Sequence, residues 1–397
     1  MFFLTMFIIG TDTFLISPLL PTLANLYNIN SSVSGWMVSA YAIGYAVFAL
    51  ISGPISDGRD RKKVMTYGLI AFTISTFLCG FATSFPLMLL FRLFAGISAS
   101  FVTPQVWASI PIVVDKKYIV QVMGYATAGL SVSQMAGVPI GGYLANFSWQ
   151  TPFYTIAFAS LILLILIHIF LPKLEIGKAN RISFTEAYKN VLTNKKSVSY
   201  LIAYFVFQTG SFTAITFIST WFTNDFNMSL TNISTAIIAI GAGNLLGSLF
   251  GSQLVKRFGL QRTFKTELLT LIILYLILPF ANNFWVAEIL LTIIYINNGF
   301  IFPLFMTTLQ GTVENARSTI SSLSNAVMYL GETIAGIVGG VLFVKFTGFS
   351  GISVFAAIMI TFDSRGAHGA VTLQNVRQRF QHLHHSFVDL YPFRPGF

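Results

Sequence analysis

Apolar runs of about 20 residues follow one another from the start of the chain to about residue 362. A helix needs about 20 such residues to cross a hydrocarbon core about 30 Å thick. The alternating apolar and polar residues of outer-membrane barrel strands are absent. Charged residues make up only 9% of the 397, where a soluble domain would have roughly 25%. The sequence therefore predicts an all-α, polytopic membrane protein.

Turn residues and charged residues divide these runs into twelve spans, of which the last is short. The single cysteine, Cys79, lies inside the third span, and one cysteine excludes both a disulfide framework and a multi-cysteine metal site. The predicted spans are 2–25, 34–55, 64–84, 86–108, 119–145, 151–172, 198–222, 232–255, 264–282, 284–310, 318–344 and an incomplete twelfth from 349.

Positive charge is concentrated in alternate loops. The stretch GPISDGRDRKKVM at residues 53–65 holds six charged residues, whereas the opposite loops near 26–33, 85 and 146–150 hold none. Basic loops remain cytoplasmic, so we expect a multi-pass protein of the cell membrane with a cytoplasmic N-terminus. The net charge of +10 follows from this topology and does not indicate a nucleic-acid partner. The other basic loops are 116–117, 173–197 and 256–265.

One long hydrophilic segment interrupts the series of spans. It covers residues 173–197, follows the sixth span, and separates a six-helix half at 1–172 from a second half at 198–362. The segment 252–259, between spans 8 and 9, weakly repeats the charged stretch between spans 2 and 3. Two related six-helix halves with pseudo-two-fold symmetry are typical of many secondary transporters.

The loop between spans 2 and 3 resembles a known motif, Gly-x-x-x-Asp-Arg-x-Gly-Arg-Lys. The chain, over about residues 1–362, resembles the major facilitator superfamily, in particular its twelve-span drug:proton antiporters and the sugar- and purine-efflux-like proteins near them. The resemblance implies an inner gate at this loop, although a solvated topogenic loop is the alternative for its basic residues. Gly58 and Asp60 depart from the motif, where a basic residue and a glycine are usual. The residues in register are Gly53, Asp57, Arg61 and Lys62.

Two further segments carry the resemblance. Arg92–Leu–Phe–Ala–Gly96 in span 4 is similar to the family's Arg-x-x-x-Gly motif. Span 5 resembles the antiporter signature, except that Val138 divides the usual Gly-Pro pair. Proline removes a backbone hydrogen bond, and glycines allow helices to approach closely. The antiporter-like residues are Gly129, Gly137, Pro139, Gly141 and Gly142.

Three ionisable residues fall at membrane depth, where they are costly and therefore functional candidates. Asp12 lies in the middle of span 1, and a carboxyl group there can exchange a proton or bind substrate; a permanently paired carboxylate is the alternative. Arg92 in span 4 stays charged, so it can tune Asp12, bind an anion, or form a structural ion pair. Glu332 in span 11 gives the second half an acid, either as a second proton or cation site or as a packing group.

Polar residues on several spans are candidates to line a central cavity. The threonines of span 7 recur at helical spacing on one face. Alternatively, their hydroxyls bond back to their own helix. The predicted cavity residues are Tyr41, Tyr45, Gln208, Thr209, Thr213, Thr216, Asn297 and Asn298.

The C-terminal tail, residues 363–397, differs from everything before it. Only 14 apolar residues precede it from Phe349 to Phe362, about 21 Å of helix, too short to span comfortably. A native interfacial helix remains an alternative, but we expect span 12 to be interrupted by a frameshift, a fusion or another non-native sequence. Met1 stands almost directly at span 1, which favours a missing N-terminal segment.

Together these features predict a proton-coupled secondary transporter that exports a small organic molecule, drug-like or a lipophilic cation, by alternating access. Asp12, with Arg92 as its electrostatic partner, is the first candidate for proton coupling. A sugar, nucleoside or purine efflux transporter is the alternative, and a non-transporting receptor or scaffold is the alternative of another class. We expect a monomer in the lipid bilayer with no enzymatic activity, no cofactor and no metal site, because clustered nucleophiles, metal ligands and phosphate loops are absent.

Overall fold

The computed structural model describes residues 1–56, 60–115, 119–172, 184–313 and 317–362, and this part of the chain contains helices and no strand. A short helix, Ser31–Ser34, precedes α2, and a connector helix, Phe184–Thr193, precedes α7. The predicted tail at 363–397 lies outside the described residues. The long helices are α1 Phe2–Leu26, α2 Trp36–Ser56, α3 Arg61–Cys79, α4 Phe85–Val113, α5 Ile119–Val132 with its continuation Val138–Leu144, α6 Thr151–Phe170, α7 Lys195–Phe226, α8 Leu230–Phe258, α9 Leu260–Ile277, α10 Phe284–Gln310, α11 Arg317–Lys345 and α12 Ser350–Phe362.

Within the described ranges, nine of these helices are long and apolar enough to cross a membrane. Each of the twelve predicted spans overlaps a helix, and the last, α12, is an apolar helix of only 13 residues in the described part. The fold class predicted from the apolar runs, an all-α polytopic membrane protein, is therefore confirmed.

Helix α5 is not regular. Its middle, Ser133–Gly137, is a π-helical turn between two α-helical segments. Such turns are rare and usually interrupt a helix at functional sites. Here the π-helical turn ends two residues before Pro139, whose backbone nitrogen has no hydrogen to donate.

The connections between helices differ in charge on the two sides of the bundle. Those at 27–30, 80–84, 145–150, 227–229, 281–283 and 346–349 contain no charged residue, and we call this the uncharged side. The helix ends on the opposite, basic side hold Lys62, Lys63, Lys195, Lys196, Arg257 and Arg262. This distribution is the one on which the predicted cytoplasmic N-terminus depends; the orientation itself stays a prediction.

Burial separates central from peripheral helices. In the most apolar stretch of α1 and of α7, 72% of the residues are buried. In α6 the buried fraction is 33%, and in α9 it is 28%. Apolar side chains on a peripheral helix stay exposed because lipid solvates them as well as a protein interior does. The central position of α1 and α7 places Asp12 and the threonines of α7 inside the bundle.

The helices before and after the connector contact each other toward the uncharged side. Helix α2 packs along α11, α1 along α7, and α5 along α8. Each pair shares a hydrogen bond: Ser39 Oγ donates to the Thr333 carbonyl at 2.6 Å, Ser17 Oγ donates to the Ile215 carbonyl at 2.7 Å, and the hydroxyls of Tyr143 and Thr235 lie 2.7 Å apart. Whether the two sets of helices move as separate halves, with boundaries at 172 and 198, stays a prediction.

Candidate functional site

A fully buried ion pair joins α1 and α4. Arg92 Nη1 lies 2.9 Å from Asp12 Oδ2, and both side chains have no exposed surface. The hydroxyl of Thr76 on α3 donates to Asp12 Oδ1 at 3.4 Å, and Arg92 Nη1 also reaches the Asp12 carbonyl oxygen at 3.3 Å. Both carboxylate oxygens of Asp12 thus have a donor.

The guanidinium of Arg92 is held on a second side by α2. Its central carbon lies 4.4 Å from the centroid of the Tyr41 ring, a geometry in which the ring face attracts the cation. Its Nε donates to the Met37 carbonyl at 3.5 Å. Its Nη2 is buried and has no hydrogen-bond partner among the described residues.

Two tyrosines of α2 extend the site toward α11. The rings of Tyr45 and Tyr329 stack with centroids 3.8 Å apart, and Tyr41 lies 6.4 Å from the same ring. The hydroxyl of Tyr41 is hydrogen-bonded to Thr13, the neighbour of Asp12, at 3.1 Å. Helix α11 therefore meets the ion pair through an aromatic wall.

Glu332 lies one turn beyond Tyr329 on α11. Its side chain is 2% exposed, and its Oε2 is buried with no hydrogen-bond partner in the described part of the chain. Through Tyr329 it adjoins the aromatic wall of Tyr41 and Tyr45. We call the six residues of this region the central cluster: Asp12, Tyr41, Tyr45, Arg92, Tyr329 and Glu332.

The central cluster contains one residue that sequence reasoning missed. Tyr329 was not singled out, because an aromatic residue in an apolar helix carries no signal of its own. Its spacing of three residues from Glu332, which puts both on one helical face, is the signal that could have identified it.

The threonine face of α7 is packed against α11. The hydroxyls of Thr209, Thr213 and Thr216 donate to the carbonyls of their own helix at 2.8, 2.6 and 2.7 Å. A side chain at Gly331 would meet Thr209, and one at Gly339 would meet Thr213. These contacts match the alternative in which the hydroxyls bond back to the helix; a cavity-lining role stays a prediction.

The predicted amide residues lie on α7 and α10. Gln208 Nε2 donates to the hydroxyl of Tyr204 at 3.1 Å, and Asn297 Nδ2 donates to its own helix at 2.7 Å. Asn298 Oδ1 accepts from Ser211 at 3.2 Å, while its Nδ2 is buried without a partner among the described residues. The bond between Ser211 and Asn298 joins α7 to α10 in a second polar region after the connector.

Comparison with known proteins decides the family. The model of the Major Facilitator Superfamily matches residues 2–336. The chain belongs to the major facilitator superfamily. It is 46% identical to YceJ, an uncharacterized MFS-type transporter of Bacillus subtilis (strain 168), over 90% of this chain and 92% of that one. It is 26% identical to Multidrug resistance protein 2 of the same organism, over 83% and 84% of the two chains.

Solved structures agree on the fold. A bacterial homolog of the human lysosomal transporter Spinster superposes with a TM-score of 0.73 at 15% identity, covering 93% of this chain and 94% of that one. The protein is thus a membrane transporter with the major facilitator fold, and the family's members are transporters rather than enzymes.

The antiporter-like residues of this major facilitator protein lie at close helix contacts. Side chains added at Gly129, Gly137 and Gly141 would collide with α1, and one at Gly142 would collide with Ser234 on α8. Pro139 is buried between them. The glycine pattern therefore places α5 against the helix that carries Asp12 and against a helix from beyond the connector.

The loop motif is described only in part. Asp57 lies outside the described residues, and of Gly53 only the backbone, in the last turn of α2, is described. Asp60, which departs from the family pattern, is the N-cap of α3 and accepts from the Lys62 amide at 3.0 Å. The ammonium of Lys62 donates to the carbonyls of His168 and Leu171 at the end of α6. Arg61 begins α3, and the role of the motif as an inner gate stays a prediction.

Proposed function

We propose that this transporter exports a small organic molecule, drug-like or a lipophilic cation, in exchange for protons. The observation that carries the proposal is the fully buried Asp12–Arg92 ion pair, set beside a second buried acid, Glu332. Charged groups inside a membrane are costly and mark ion or substrate pathways. To couple protons to alternating access, a transporter needs an acid at a place that both sets of helices contact. The central cluster is such a place.

The relatives support the substrate class. Multidrug resistance protein 2, at 26% identity, is named for resistance to several drugs. The tyrosines of the central cluster offer ring faces that favour cations and flat apolar molecules. A lipophilic cation would find both an acid and aromatic surface in one place.

The remaining parts of the proposal concern gating and placement. Gly53, Asp57, Arg61 and Lys62 form an inner gate on the basic side, which faces the cytoplasm together with the N-terminus. The protein acts as a monomer in the cell membrane. Release of substrate on the uncharged side then requires the contacts of α2 with α11, α1 with α7, and α5 with α8 to open.

Efflux from cells tests this function. Cells that express the protein are loaded with a panel of fluorescent lipophilic cations, and efflux is followed with and without a protonophore. We expect efflux that stops when the proton gradient collapses, and that is lost in Asp12→Asn because Arg92 is left buried without its partner. Efflux that continues after collapse of the gradient would argue against proton exchange.

A neutral, hydrogen-bonding substrate such as a sugar, nucleoside or purine is the second candidate. The observation that favours it is the amide region of α7 and α10, where Asn298 Nδ2 is buried without a partner among the described residues. Buried amides without partners are ready to bond a ligand. Proteoliposomes loaded with nucleosides and sugars separate the two candidates: proton-driven release of these, with no release of cations, would favour the second.

A further inference from the structure

The central cluster contains more acid than base. Arg92 is its one permanent cation, and Asp12 and Glu332 are its two acids. Asp12 is satisfied, because Arg92 and Thr76 donate to its two oxygens. In Glu332 one oxygen is not satisfied, because Oε2 is buried with no hydrogen-bond partner among the described residues.

Arg92 is not free to satisfy both acids in this arrangement. Its Nη1 is held by Asp12 and its Nε by the Met37 carbonyl. Its remaining Nη2 is buried and makes no hydrogen bond to any described residue. An ionised carboxylate buried without a partner costs several kcal/mol. Glu332 therefore requires one further positive charge, either a proton or a cation from outside the protein.

The surroundings of Glu332 determine which cation fits. Tyr329 lies one turn away on α11, and its ring packs against the rings of Tyr41 and Tyr45 on α2. The rings offer apolar faces, and among the described residues the central cluster has only tyrosine hydroxyls as side-chain oxygens besides its two carboxyl groups. This suits an organic monocation rather than a strongly hydrated metal ion.

In the described part of the chain, the charged residues of the other helices packed on α11 lie toward the ends of the bundle. Helix α7 meets Gly331 through Thr209, and the hydroxyl of its Tyr204 accepts a hydrogen bond from Gln208. Helix α10 carries Tyr295, which lines a separate cavity with Phe14 and Ser17, and Glu288, which lies nearer the uncharged side. The charged residues of the connector helix, Glu186 and Lys189, lie at the basic end of the bundle.

We propose that Glu332 is the group at which a monovalent organic cation competes with a proton, while Asp12 stays ionised and paired with Arg92. This rests on the proposed function and assigns the exchangeable proton to α11 rather than to the acid of α1 that the sequence favoured. When the cation arrives, the O–H bond of the Glu332 carboxyl breaks, one proton leaves to water, and the carboxylate becomes the counter-ion. No covalent bond to the substrate forms.

Infrared difference spectroscopy of the full chain in lipid nanodiscs tests the assignment of the proton. All variants carry Glu288→Gln, which removes another buried acid without a partner. We expect a carboxylic-acid carbonyl band that disappears as the pH rises, that is missing after Glu332→Gln, and that persists after Asp12→Asn. A band that survives Glu332→Gln, or that is lost only with Asp12→Asn, would overturn the proposal. Glu332→Asp is the control and should retain the band. Loss of the band in Glu332→Gln then reports loss of the carboxyl group rather than a change of fold.

Competition is tested in the same samples with tetraphenylphosphonium as the probe cation. We expect binding to release about one proton and its affinity to rise by up to about tenfold per pH unit, with both effects lost in Glu332→Gln. Binding to the parent protein without proton release would overturn the competition. Failure of the proposed function gives a different result. Efflux from cells would then not depend on the proton gradient, while the infrared band would still be lost in Glu332→Gln.

Discussion

The ring of Tyr45 on α2 stacks against the ring of Tyr329 on α11, with centroids 3.8 Å apart and ring planes 27° from parallel. This contact joins a helix from before the connector to one from after it, at the depth of the ion pair. Glu332 lies one turn along α11 from Tyr329. We therefore expect a change in this stack to alter both the stability of the bundle and the electrostatics of the central cluster.

Substitution of Tyr329 tests the stack. Tyr329→Phe should retain it and leave the thermal unfolding midpoint of the purified protein nearly unchanged. Tyr329→Ala removes a ring that is 8% exposed, and loss of a large buried aromatic side chain costs about 3–5 kcal/mol. We expect a clearly lower midpoint in detergent. Equal midpoints for the two variants would show that the stack contributes little.

The Asp12–Arg92 pair is expected to behave as one unit. Asp12→Asn or Arg92→Gln alone leaves a buried charge without its partner, at a cost of about 3–5 kcal/mol. The double variant removes both charges and should recover most of that loss, although efflux stays absent. Chemical unfolding of the four proteins measures the coupling. A double variant as unstable as the sum of the single ones would show that the two residues act independently.

Local patterns were enough to predict the spans and to place Asp12, Arg92 and Glu332 at membrane depth. A run of apolar residues and a charge within it are properties of a short segment. The contact between Asp12 and Arg92 joins residues 80 positions apart, so it depends on how α1, α3 and α4 pack.

The directions in which side chains point could not be predicted from the sequence in the same way. The threonines of α7 face α11 because glycines there let the helices approach closely, and that requires the partner helix. Asp60 appeared only as a departure from the family motif. Its backbone conformation shows that it caps a helix, a role that the motif comparison conceals.

The cap at Asp60 gives a separate prediction on the basic side. Asp60→Ala removes the acceptor of the Lys62 amide and should lower the free energy of unfolding by about 1 kcal/mol, whereas Asp60→Asn keeps an acceptor and should be nearly neutral. Thermal unfolding of the purified variants is the measurement. Asp60→Gly, which restores the family residue, should cost only a few tenths of a kcal/mol. A loss with asparagine equal to that with alanine would point to the charge rather than the cap.

A close approach of α11 to the start of α2, on the uncharged side, gives the last prediction. A Cβ atom at Gly336 would lie 2.5 Å from the carbonyl oxygen of Gly35, and it would also collide with Ser39. Gly336→Ala must therefore push the two helices apart. Overpacking of this kind costs about 1–3 kcal/mol, so we expect a lower unfolding midpoint.

Gly210→Ala is the matched control, because a Cβ atom there would lie 3.1 Å from its nearest neighbour, the Cβ of Met359. It adds the same methyl group to a buried contact between α7 and α12 with much less strain, and its midpoint should change little.

A second measurement reports access from the uncharged side. A cysteine is introduced at Ser32, in a Cys79→Ala background, and its reaction with a bulky thiol reagent is followed. The backbone of Ser32, just before α2, packs against Gly340 on α11. Separation of α2 and α11 therefore exposes residue 32, and we expect faster labelling in Gly336→Ala. Equal midpoints and equal labelling for the two glycine variants would mean that α2 and α11 are already apart in the membrane.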